Sequence, residues 1–138
     1  MENKLTEELA LTEYTNWCEA NGIEYDEAGM SDDEKKDYEG LKNRIVKAIQ
    51  QGKAVVDGDN IIYTLSNYEG NMDGMKINVS APTGKVFLGM DGYKETQQMH
   101  RMHGAMSALT GLDIGVFAKL KLGDWRFFQS VLTLFLSA

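Results

Sequence analysis

The segment Trp125-Arg126-Phe127-Phe128-Gln129-Ser130-Val131-Leu132-Thr133-Leu134-Phe135-Leu136 restricts the fold more than any other stretch of this chain. Only Arg126, Gln129, Ser130 and Thr133 break its apolar run. Advancing about 100° per residue from Trp125 spreads the apolar side chains over an arc of roughly 200°, with the polar four on the remaining side. A surface helix resting on one core needs a stripe only about half that wide. Two arrangements satisfy such a helix. It is sandwiched inside its own domain between a sheet and another helix, or it turns part of the arc to a partner, either a client or a second copy. Phe127 and Leu134 mark one margin of the arc and Trp125 and Leu136 the other, where a second neighbour would sit. The stripe Met99, Met102, Met106 reads first as core, although pliable methionines also suit imprecise helical clients.

A chain of 138 residues with 43% hydrophobic and 25% charged residues is expected to form one domain over 1–138 with a modest core. No stretch reaches the roughly 18 consecutive apolar residues of a membrane span. The opening MENKLTEELALTEY carries acids where a secretory signal would carry bases and an apolar run, which points to the cytoplasm of the producing cell. A net charge of −7 repels phosphate backbones and argues against nucleic acid as a partner. Cys18 is the only cysteine, so no internal disulfide forms, and the residue reads as a small buried hydrophobe.

Three textures follow one another along the chain. Residues 1–52 read as a helical hairpin. The first helix stops at Asn21-Gly22. The second starts at the capping box Ser31-Asp32-Asp33-Glu34, buries a face of Tyr38, Leu41, Ile45 and Ile49, and stops at Gly52. Residues 53–90 read as β-rich. Ala54-Val55-Val56 and Ile61-Ile62-Tyr63-Thr64-Leu65 form a hairpin around Asp57-Gly58-Asp59-Asn60, and Met75 to Ser80 alternates as a third strand with one wet face. Pro82-Thr83-Gly84 then turns the chain. Residues 91–138 read as helical: Met99, Met102, Met106 and Leu109 on one helix ended by Gly111, a short helix capped by Asp113 with Val116, Phe117 and Leu120, and a last one capped by Asp124. The expected class is α+β: an N-terminal helical hairpin, a small antiparallel sheet of a hairpin plus a third strand, and C-terminal helices.

Sequence chemistry points away from catalysis. His100 and His103 are the only histidines; two ligands without H-E-x-x-H do not make a zinc site, and the pair reads as polar helix surface. Ala81-Pro82-Thr83-Gly84-Lys85 lacks the earlier glycine and the Ser or Thr after lysine that a phosphate loop needs, since Val79 and Val86 stand there. Asp32-Asp33-Glu34 and Asp57 with Asp59 are a helix start and a turn rather than an EF-hand ladder. No nucleophile–base–acid set can be assembled. Neither catalytic residue, metal ligand nor cofactor site is expected.

The order Ala81-Pro82-Thr83-Gly84, a helix into Leu109-Thr110-Gly111, Phe117-Ala118-Lys119-Leu120, then Asp124 and a final helix ending Phe135-Leu136, resembles a tail assembly chaperone of long-tailed (siphovirus-type) bacteriophages. The resemblance takes in the approach as well, Leu41 to Leu65, through Gly52-Lys53 into the hairpin; residues 1–30 take no part in it. It implies a non-enzymatic helper in the infected bacterial cytoplasm. Such a helper binds the long helical tape measure protein, helps the tail tube protein polymerise around it, and is left out of the finished virion. In this family a ribosomal frameshift often appends a further domain. An acidic exterior with an apolar surface suits a carrier for an aggregation-prone helix. On that reading Met102, Met106, Phe117, Trp125, Phe127, Phe128, Leu134 and Phe135 are the candidate protein-binding residues, for the client or for self-association. The competing expectations are a structural tail component of the virion, such as a completion or tube protein, and a small phage adaptor for a host protein.

Overall fold

A computed structural model of the chain describes residues 4–23, 27–84 and 98–137. The fold is α+β. Five α-helices flank a three-stranded antiparallel sheet among the described residues: α1 Glu7–Ala20, α2 Asp32–Gln50, β1 Ala54–Asp57, β2 Asn60–Thr64, β3 Lys76–Val79, α3 Gln98–Thr110, α4 Ile114–Ala118 and α5 Leu122–Ser137. The side chain of Met99 and the residues Lys85 and Val86 lie outside the described set.

Local chemistry explains where the first two helices begin and end. Thr6 caps α1 by accepting from the Leu9 amide at 3.2 Å, and Asn21 with Gly22 at φ +69° closes it. Ser31 caps α2 by accepting from the Glu34 amide at 3.2 Å, while the Ser31 hydroxyl donates to the Glu34 carboxylate at 3.2 Å. The acids in its first turn and Lys47 in its last complement the helix dipole. The two helices form the expected hairpin. Tyr14 and Tyr38 join their hydroxyls across it at 3.3 Å, and Ile45 and Ile49 are buried with Tyr38 and Leu41 half-buried.

Gly52 at φ +79° turns the chain out of α2 into β1. The hairpin closes through Gly58 and Asp59 between the paired Asp57 and Asn60. Gly58 has φ +62°, the positive value that a two-residue turn with glycine in first place requires. β2 is central, flanked by β1 and β3. β3 alternates as its sequence does, with Ile77 and Val79 buried and Lys76 and Asn78 exposed. Asn21 of α1 ties the helical hairpin to the turn by donating its side-chain amide to the Asp59 carbonyl at 3.0 Å.

At the C-terminal end, Gly111 at φ +73° ends α3, and Asp113 caps α4 by accepting from the Gly115 amide at 3.3 Å. The expected cap of the last helix is corrected. α5 starts at Leu122, so Asp124 sits inside its first turn, and its carboxylate serves the sheet instead. One cluster of buried side chains draws on every helix and strand. None of the described helices is long and apolar enough to cross a membrane.

Candidate functional site

The wide apolar arc of α5 has its explanation inside the molecule. Tyr63 of β2 stacks on Phe127 with ring centroids 4.4 Å apart and meets Phe128 edge-on at 5.3 Å. Phe117 of α4 closes on Phe128 at 5.8 Å. Trp17 of α1 reaches Phe135 at 5.5 Å, and His103 of α3 meets Trp125 at 4.6 Å. On the α2 side, Arg44 donates to the Ser130 hydroxyl at 3.2 Å. A helix with neighbours on so many sides needs an arc about twice as wide as one lying on a single core.

This places the eight residues singled out from sequence. Met106, Phe117, Trp125, Phe127, Phe128 and Leu134 are buried by the chain itself, including both margin residues Phe127 and Leu134. Their apolar surface is satisfied internally, so the surplus inferred from the arc does not exist at these positions. Met102 and Phe135 are half-buried. The Met102 sulfur accepts from the Gln129 amide at 3.9 Å, and Phe135 leans on Trp17. The apolar side chains that do face outward are Leu122 at 61% exposure, Val55 at 56%, Leu9 at 53% and Leu136 at 39%. Leu136 lies at a margin of the arc. The other three carried no usable signal: Leu122 precedes the apolar run, Leu9 lies on a weakly amphipathic helix, and Ala-Val-Val has no alternation to say which valine faces out.

The strongest polar constellation is one that the sequence reading missed. The buried Asp124 carboxylate accepts from Tyr63 Oη through Oδ1 and from Tyr68 Oη through Oδ2, the latter at 2.6 Å. Tyr68 Oη in turn accepts from the Lys121 amide at 2.7 Å, and Lys121 Nζ lies 4.9 Å from the centre of the Tyr68 ring and donates to the Asn67 carbonyl. Burial, followed by the bond to Asp124, pushes the Tyr68 hydroxyl up to about 12 and the more buried Tyr63 hydroxyl further. Both phenols therefore stay protonated donors at neutral pH. The group pins the start of α5 to β2 and to the loop after it; it presents no free nucleophile.

Burial also perturbs titratable groups away from this constellation. Burial raises the Cys18 thiol above its ordinary range, against the opposing pull of the Tyr14 hydrogen bond and Lys42, so the expected small buried hydrophobe is what stands there. His103 departs from the expected polar surface. It packs on Trp125, and desolvation, with His100 nearby, lowers its pKa. Among the described residues no three His, Cys, Asp or Glu side chains come together as a metal site.

Concavities are also found among the described residues. An open groove of about 400 Å³ runs beside β1, walled by Leu5, Glu13, Ile49, Ala54 and Val56. A smaller cleft of about 130 Å³ between α2 and the start of α5 is lined by Arg44, Lys47 and Lys53 against Tyr63 and Phe127. Set against protein-family models, curated proteins and solved structures, the chain matches none.

Proposed function

We propose that this chain is a bacteriophage tail assembly chaperone. It acts without catalysis in the infected bacterial cytoplasm, binds the tape measure protein, promotes tail tube assembly around it, and leaves before the virion is complete. The observation that carries this reading is the ordered set of segments from Ala81-Pro82-Thr83-Gly84 through Leu109-Thr110-Gly111 and Phe117-Ala118-Lys119-Leu120 to Asp124 and Phe135-Leu136. The net charge of −7 supports it, because a repulsive exterior keeps a complex with a long sticky helix in solution.

Burial of the aromatic residues moves the client surface. On this reading it consists of what the last helix and its neighbours leave accessible: Leu122 and Leu136 at the two ends of α5, together with the half-buried Met102 and Phe135. Exposed apolar side chains of this kind take the apolar face of an amphipathic helix. Copurification with the tape measure protein tests the reading. Wild type retains the client, and Leu122→Glu with Leu136→Glu loses it while keeping a native circular dichroism spectrum. Equal recovery by the folded double variant removes this surface. Mass spectrometry of purified particles separates the chaperone from a structural tail protein: the chaperone is absent, whereas a completion or tube protein is retained.

A further inference from the structure

The outer edge of β1 carries a self-complementary code. β1 is an outside strand, and none of the described strands pairs with its far side. The Thr64 amide donates to the Lys53 carbonyl at 2.8 Å, and the pairing runs Ala54↔Tyr63, Val55↔Ile62, Val56↔Ile61, Asp57↔Asn60. In an antiparallel ladder bonded and non-bonded pairs alternate. Lys53, Val55 and Asp57 thus direct their backbone groups to β2, and Ala54 and Val56 direct theirs outward.

Those two outward pairs of donor and acceptor determine how a second strand of the same sequence can add. Antiparallel pairing that uses both must set Ala54 against Val56 of the second copy and Val56 against its Ala54. The two-fold axis then passes beside Val55. Registers centred on Ala54 or Val56 would instead call on Gly52, whose amide is already bonded to the Ile49 carbonyl at 3.1 Å, or on Gly58 within the turn. The register that keeps all the bonding inside the strand has two further consequences. It brings the 56%-exposed Val55 opposite its own copy, extending a row with Ile62 on each side. It also sets Lys53 opposite Asp57 of the second copy, twice, at the two ends of the pairing. Opposite charges at facing positions favour the pair, and like charges there oppose it. On the inner face the open groove along this edge leaves room for the Val56 side chain of the incoming strand.

We infer that β1 is a homodimerisation edge: two copies join antiparallel through Ala54 and Val56, centred on Val55, into one continuous six-stranded sheet. A second copy is the occupant because the charge pattern of the strand complements itself in the one register its backbone allows. The inference stands apart from the proposed chaperone activity, since its test needs no client.

Sedimentation velocity of the purified chain over two decades of concentration reads the association directly. The wild type shows a reversible monomer–dimer equilibrium. Lys53→Asp alone and Asp57→Lys alone each place like charges at both ends of the pairing and weaken the dimer by roughly tenfold or more. The double swap Lys53→Asp with Asp57→Lys restores it. Val55→Lys sets two cations across the axis at an exposed position, where loss of the valine opens no cavity, and yields a folded monomer even if a swap variant misfolds. A wild type that stays monomeric throughout overturns the inference, as does a dimer that Val55→Lys leaves intact or a double swap no tighter than the single ones.

Discussion

Asp124 shows how one residue can look like local punctuation and act as a long-range tie. An Asp before an apolar run is a good helix cap, but here the helix has already started at Leu122. The carboxylate is free to collect the hydroxyls of Tyr63 and Tyr68, which lie 61 and 56 residues earlier. Hydrogen bonds to a charged acceptor are the stronger kind, and a buried hydroxyl left without an acceptor carries its own penalty. Asp124→Ala is therefore expected to destabilise the fold by about 2–3 kcal/mol, with Tyr68→Phe costing less because that ring is only half-buried. In the Asp124→Ala background, Tyr63→Phe should cost less than it does alone, since its partner is already gone. Urea midpoints at unchanged slope measure all of these. An unshifted midpoint for Asp124→Ala would show that the tyrosines find equivalent acceptors in water. The sequence could not announce this tie, because a caps-and-periodicity reading sees only neighbours within a few positions.

At the scale of elements, what could be read early was whatever short-range chemistry determines. Ser31 and Asp113 start their helices, Gly52 and Gly111 stop theirs, and Gly58 makes the two-residue turn, each for a reason contained in its own segment. Alternation in β3 and the spacing of Ile45 and Ile49 likewise revealed the buried faces. The last helix marks where this stops working. Its sequence states how wide its apolar arc is, but the identity of what covers that arc depends on α1, α2, α4 and β2 packing round it. The candidate site shares this limit: a wide arc fits a hub and a docking helix equally, and six of its eight positions are buried within the chain. Mutations along α5 should separate the two. Phe128→Ala, at the centre of the aromatic cluster, is expected to lose about 3–5 kcal/mol through lost transfer energy and the cavity left behind. Leu122→Ala, in the same helix but exposed, should stay within about 0.5 kcal/mol of wild type. Equilibrium unfolding of the two variants gives both numbers, and similar losses from both would contradict the burial pattern.

For the molecule as a whole, the placing of α5 predicts how the structure comes apart. The helical hairpin, the sheet and the C-terminal helices differ in sequence texture, which would suit three loosely joined parts. Their buried side chains nonetheless form one cluster, and α5 touches each part: Phe135 against Trp17, Phe127 against Tyr63, Phe128 against Phe117. Each part loses apolar lining if α5 leaves, so the parts should melt together. The two tryptophans are well placed to test this. Trp17 reports the junction of α1 with the end of α5, and Trp125 reports the junction of α3 with its beginning. Single-tryptophan versions made by Trp125→Phe or Trp17→Phe will each have their own stability, so each is compared with its own far-ultraviolet circular dichroism. In both, fluorescence and dichroism should give the same denaturant midpoint. If Trp17 fluorescence changed well before the dichroism of the same variant, the N-terminal hairpin would be a separate unit resting on the remainder. Coincident midpoints would mean that α5 works as the common wall of the whole fold. In that case the rims it leaves outside, at Leu122 and Leu136, together with Leu9 on α1 and the sheet edge at Val55, stay available for other proteins while the core holds.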